Sequence, residues 1–232
     1  MLSIQEREQR KIKFGKRGDY KTYEDIYAVF AHDGYSKELA EQFAAAFVDE
    51  QKKPMPHDIV QAARLYDKIH EPKIAAFYLE MLAEKKLSGD ERFAYCTESL
   101  KNKSMMGNWR DAEDFRTENI DFLQKYAEKT DIKQKSELYI ALALVDCAAK
   151  HYTQGFRLLT GFGYKPRGKN DVTLLEILIT GVYICAKSGD KGSLGNAVEN
   201  ARSALGLFSV YPFLWSKEYF EKCIDDAANG KI

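Results

Sequence analysis

The 232 residues carry 35 Lys and Arg against 35 Asp and Glu, and 45% of them are hydrophobic and 12% aromatic. Such a chain buries a substantial core, which excludes the disordered and fibrous classes. Zero net charge removes the electrostatic footprint that non-specific binding to nucleic acid or an anionic membrane leaves, so neither is an expected partner and any charged site is local.

Met1 to Glu8 hold no apolar core of the kind a signal peptide needs. Arg7, Arg10, Lys11 and Lys13 interleave with Glu6 and Glu8, the composition of a solvated leading helix or arm over residues 1–19. Arg17-Gly18-Asp19 reads as a flexible turn ahead of a helix that begins near Thr22. From Ile59, the positions Ala62, Ala63, Tyr66 and Ile69 form one helical stripe, and after a stop at Glu71-Pro72 a second helix carries Ile74, Ala75, Tyr78, Leu79 and Leu82. Only a couple of residues separate the two, so they fold back on one another.

The same unit of helix, tight turn and helix returns, with turns at Asp33-Gly34-Tyr35, Glu71-Pro72, Gly107-Asn108-Trp109, His151-Tyr152-Thr153 and Ser188-Gly189-Asp190-Lys191. The third residue or so of each second helix is Leu39, Ala75, Ala112, Gly155 and Ser193, spaced by 36, 37, 43 and 38, and four of the five are small enough to let antiparallel helices approach closely. Cys147, Cys185 and Cys223 also recur every 38 residues. Val, Ile and Thr never collect into alternating runs, so the chain reads as all-α. The longest apolar stretches, Leu138 to Ala149 and Val172 to Ala186, are interrupted by Asp146 and Glu176 and are too short for a bilayer, which makes a cytoplasmic protein the expectation. Cys96, Cys147, Cys185 and Cys223 form no CxxC pair and are expected as buried thiols, not as a disulfide framework or structural zinc site. The aromatic segment Phe213, Leu214, Trp215, Tyr219, Phe220, Cys223 and Ile224 reads as a closing helix on the last pair.

On these residues the chain resembles the tetratricopeptide repeat family. In Ile59 to Leu87, the positions Ile59, Ala62, Ala63, Tyr66, Pro72, Ala75, Leu79 and Leu82 fall close to that family's large and small positions; in Tyr139 to Pro166, Tyr139, Leu142, Ala143, Tyr152, Gly155 and Leu159 match. The match weakens around Ile177, Gly181, Ile184 and Ser193. The resemblance implies a right-handed α-solenoid of about five antiparallel helix pairs over residues 20–208, between the arm at 1–19 and a capping helix at 209–232. It also implies that first helices line a concave face. The inward residues would then be Lys21, Glu24, His57, Arg64, Asp67, Thr97 and Lys101 in the N-terminal half, and Ile140, Leu144, Cys147, Leu178, Val182 and Cys185 in the C-terminal half. Such a face, charged at one end and apolar at the other, suits an extended peptide or a partner helix. The apolar half also reads as ordinary core, closed by curvature or by the final helix.

Gly163 to Asn170 satisfies GxxxxGK, but a helix precedes it where a strand is needed, Asn170 replaces the magnesium-binding hydroxyl, and Pro166 lacks a donor. A basic inter-repeat loop is the expectation, with Lys165, Arg167 and Lys169 open to a simple anion at a helix N-terminus. His32, His57, His70 and His151 lie near helix ends or turns without a metal-ligand partner at short spacing, and read as caps or solvated groups. Asp111, Glu113, Asp114, Glu118 and Asp121 read as the wet side of an amphipathic helix. Trp109 and Tyr152 occupy corresponding turns and are expected to wedge the helices of a unit together. The expected function is a non-enzymatic adaptor that binds a protein or peptide on the concave face, without cofactor, metal or catalytic group. The alternative is a ligand-responsive regulator that takes a small peptide or anion there.

Overall fold

A computed structural model describes residues 37–209 and 217–232. The expected arm at 1–19, the inward residues Lys21 and Glu24, the turn at 33–35 and the large apolar residues Phe213, Leu214 and Trp215 lie outside the described residues. Within them the structure is all-helical, with no strand. The helices are α1 (Lys37–Ala44), continued by a π-helical turn Ala45–Asp49, α2 (Pro56–Lys68), α3 (Pro72–Glu80), α4 (Gly89–Met105), α5 (Trp109–Ala127), α6 (Ile132–Ala148), α7 (Tyr152–Gly161), α8 (Val172–Ser188), α9 (Lys191–Gly206) and α10 (Lys217–Ala228).

The chain divides into two compact units, with boundaries inside α4, between Glu91 and Arg92, and inside α10, between Tyr219 and Phe220. In the first, which runs to Glu91, α2 packs on α3 and on α1. Ile59, Ala62, Ala63, Tyr66, Ala75, Leu79 and Leu82, the positions expected to be buried in the first complete hairpin, are all buried. The Tyr66 and Tyr78 rings stack at 5.5 Å, and the Tyr78 hydroxyl donates to the Asp49 carboxylate at 3.1 Å. Burial and the neighbouring Asp49 charge push the Tyr78 phenol well above its ordinary range. Ser88 and Glu91 form a reciprocal capping box that starts α4: Ser88 N–H donates to Glu91 Oε2 at 2.8 Å, and Glu91 N–H donates to Ser88 Oγ at 3.4 Å.

In the second unit, α4 and α5 run antiparallel. Phe93 near the start of α4 meets Tyr126 near the end of α5 at 5.0 Å, and Tyr95 meets Phe115 edge-on at 6.0 Å. α6 packs on α5, α7 and α8, while α8 packs on α6, α7 and, most extensively, α9. α6 is therefore lined on both flanks. Leu138, Ala141, Leu142 and Val145 join Phe93, Cys96, Leu100, Ala112, Leu123 and Ala127 in one apolar cluster. Ile140, Ala143, Leu144 and Cys147 join Leu159, Ile177 and Ile184 in another. A helix apolar all round belongs inside a protein, which is why Leu138 to Cys147 shows no polar stripe beyond Asp146. At the end of the chain, Phe220 of α10 packs on Phe208 at 6.0 Å, and Arg202 pairs with Asp225 at 2.8 Å. Phe220, Ile224 and Ala227 are buried, so a helix does form over the tail of the expected closing segment.

One turn recurs. His70, Gly107, Lys150 and Gly189 each have positive φ, between 59° and 76°. Each is followed at once by the cap of the next helix: Glu71, Asn108, His151 and Asp190. After α2 and α6 the hydrogen bonds are those of a Schellman motif: Glu71 N–H to Tyr66 O and His70 N–H to Asp67 O, then His151 N–H to Asp146 O and Lys150 N–H to Cys147 O. Four residues past the cap stand Ala75, Ala112 and Gly155, all buried. A Cβ on Gly155 would lie 2.8 Å from Ala143 O and 3.4 Å from Asp146 Cβ, so the missing side chain is what lets α7 reach α6. The fourth hairpin departs from the expected register. Leu194 holds that position, while Ser193 is exposed and bonds back to its cap, Oγ to Asp190 Oδ2 at 2.6 Å. The expected wedges also divide: Tyr152 packs partly buried against the second cluster, but Trp109 is 45% exposed, with Arg110 5.4 Å from its ring.

A left-handed conformation costs a residue with a Cβ about 1–2 kcal/mol, and the greater freedom of unfolded glycine returns part of it. Lys150→Gly is therefore expected to raise the unfolding free energy by about 0.5–1 kcal/mol and Gly189→Ala to lower it by about 1 kcal/mol, measured by urea denaturation. Equal effects of like sign would contradict the shared turn.

Candidate functional site

Three groups of residues have a claim to function: the expected inward residues, the glycine-rich loop, and a charged corner that the fold assembles.

The described inward residues separate by burial. On α2, Asp67 is buried, Arg64 is half-buried, and His57 is half-buried with Nε2 3.3 Å from buried Asp58. On α4, Thr97 is buried and Lys101 is half-buried, its ammonium 3.7 Å from buried Glu98. On α6 and α8, Ile140, Leu144, Cys147, Val182 and Cys185 are buried, and Leu178 is half-buried. Ile140, Leu144 and Cys147 thus lie in the packed cluster between α6, α7 and α8, while Arg64, His57, Lys101 and Leu178 keep some contact with solvent. Cys96, Cys147 and Cys185 are buried free thiols, and burial pushes Cys96 and Cys147 up to about 11, far from the range of a reactive thiolate.

The loop at 163–170 follows a helix, α7, and is organised from within. The Asp171 carboxylate caps α8 by accepting from Leu174 N–H at 3.0 Å, and it also accepts from Arg167 N–H at 2.7 Å and from the Tyr164 hydroxyl at 2.6 Å. The helix N-terminus that could have drawn an external anion already holds an internal one. Lys165, Arg167 and Lys169 are exposed around it. Nearby, a shallow cleft of about 290 Å³ is lined by Tyr139, Gln154, Arg157, Leu158, Gly161 and Phe162, with the Tyr139 and Phe162 rings stacked at 4.6 Å.

The charged corner joins α5 to the α6–α7 turn. Glu113 and Arg116 lie one turn apart on α5. Arg116 bonds both Glu113 Oε2, at 2.5 Å, and Asp146 Oδ1, at 2.9 Å. Asp146 is 0% exposed, on the last turn of a helix that is otherwise apolar at this end. The Schellman motif at the end of α6 then brings His151 back beside Asp146. Glu113, Asp146 and His151 each place one potential ligand atom within 4.8 Å of the others. Burial pushes the Asp146 carboxyl up, against the hydrogen bond and charge of Arg116 and the charge of His151. Sequence reading missed this corner, because residues 113, 116, 146 and 151 meet only through packing. Two signals pointed to it: an aspartate inside an apolar run, and a histidine five residues on, across a turn.

Set beside known proteins, the chain matches no family model, no curated protein and no solved structure.

The loop carries a pH signature. Burial raises Asp171, but the Tyr164 hydroxyl and the N–H groups of Arg167 and Leu174 outweigh it and hold the carboxyl below its usual range. The folded state then binds that proton less tightly than the unfolded chain. Its stabilisation is present above the ordinary aspartate value of about 3.9 and is lost as pH falls through the lower folded value. Urea denaturation between about pH 3 and 6 should show a shallower acid-side loss of stability in Asp171→Asn than in the wild type. Parallel curves would remove the loop's dependence on this carboxylate.

Proposed function

We propose that the chain is a non-enzymatic helical-repeat adaptor, similar in construction to tetratricopeptide proteins, whose stacked hairpins bind a protein or peptide in the cytoplasm. The observation that carries this reading is the recurring turn, with its left-handed residue and cap at 70/71, 107/108, 150/151 and 189/190. Within the second unit α8 leans on both helices of the preceding hairpin, the contact by which repeated hairpins build a surface. Buried Asp67, Thr97, Ile140, Leu144 and Val182 serve the packing in this reading. Recognition falls to half-buried residues within each unit taken by itself, His57 and Arg64 in the first and Lys101 and Leu178 in the second. No helix among the described residues is long and apolar enough to cross a membrane.

The regulator reading has one observation in its favour, the cleft beside Arg157, which offers a guanidinium to an anionic group. Its volume of about 290 Å³ stands at the lower edge of small-molecule sites, about 300–1,000 Å³. The adaptor reading is therefore preferred.

Arg64→Glu and Lys101→Glu, tested separately, place the opposite charge on each half-buried position, and Lys129→Glu on exposed surface is the control. Quantitative capture from a cell extract, with melting curves to show that each variant folds, is expected to show one binding species reduced about tenfold or more by Arg64→Glu or Lys101→Glu and retained by the control. Identical capture by all three folded variants and the wild type would overturn the assignment.

A further inference from the structure

The charged corner of the second unit is one cation short. Glu113 and Asp146 bring two carboxylates, and Arg116 answers them with a single positive charge. Asp146 is wholly buried, and while its Oδ1 takes the Arg116 guanidinium, its Oδ2 is buried with no hydrogen-bond partner. An ionised carboxylate oxygen withdrawn from water and left unpaired is among the most unfavourable arrangements a fold carries, and in native proteins it points to an ion or a water that completes it. Beside it stand Glu113, half-buried, and His151, exposed, within 4.8 Å of Asp146 and of each other.

We propose that this corner is a binding site for a divalent transition-metal cation, held by Asp146 Oδ2, a Glu113 carboxylate oxygen and an imidazole nitrogen of His151. Two carboxylates and one imidazole are the mixed oxygen and nitrogen donors that zinc, manganese and cobalt accept, and three protein ligands leave a position for water. The ligands come from three different elements, so the cation would tie α5 to the α6–α7 turn. Arg116 holds the carboxylates by Asp146 Oδ1 and Glu113 Oε2, the outer role that fixes ligand orientation in metal sites. The exposed His151 ring gives an entry from solvent, and it makes no side-chain cap bond, so it is not committed to the start of α7. The site does not depend on the adaptor reading.

The test uses the full chain, stripped of metal and titrated with Zn²⁺ by calorimetry, and with Co²⁺ read by its visible absorption. One equivalent per chain is expected. His151→Gln and Glu113→Gln should each weaken binding by about tenfold or more while each metal-free variant keeps a single cooperative melting transition. The two variants act on exposed and half-buried positions and so avoid the folding cost of replacing Asp146 itself. Absence of saturable Zn²⁺ binding to the wild type would overturn the proposal, and so would wild-type affinity in both variants, which would place the cation elsewhere, for example on the thiols.

Discussion

The second unit depends on α6 being wanted on two sides. A helix with a single apolar stripe lies on a core, but Leu138 to Cys147 offers apolar side chains in every direction and is stable only between layers. One flank closes the cluster built by α4 and α5, and the other closes the cluster shared with α7 and α8. The order of packing follows from this. α7 folds back by the shortest route and α8 then covers what α7 leaves open, so α8 itself becomes apolar nearly all round and calls for α9 in turn.

The tight turns make that arrangement affordable in chain length. A left-handed residue followed at once by a cap reverses direction and brings the next helix alongside, and Gly155 shows how close the approach is: Ala143 O occupies the space its Cβ would need. The same turn has a chemical by-product. It sets His151 beside a carboxylate already buried by the crossing of α6 and α7, and α5 supplies the counter-charge from Arg116. Removing one partner of a buried ion pair leaves an uncompensated charge, so loss of Arg116 would leave Asp146 buried without its counter-charge.

Local signals made the hairpins legible. Gly107 and Gly189, Pro72 and the caps mark the turns directly, and Ala75, Ala112 and Gly155 sit buried where small residues were expected. Ser193 was placed one position off because a serine near a helix start satisfies two patterns, a small packing residue and a capping partner, and only the hydrogen bond to Asp190 separates them. The apolar run of α6 announced burial but not on how many sides, so Ile140 and Leu144 read as groove or as core until their neighbours in α7 and α8 were in place. Charged corners are the least legible of all. Glu113 looked like part of a wet helix face, and it meets Asp146, 33 positions further on, through packing that no spacing rule describes.

The second unit therefore rests on α6 as an interior helix, and native-state hydrogen exchange tests this most directly. Amides of Leu138 to Cys147 should be among the slowest in the chain, exchanging only through opening of the whole second unit, while those of the largely exposed α9 exchange sooner. Exchange of the α6 amides as fast as those of α9 would mean that the helix has a solvent-facing side, and the two-flanked core would be wrong.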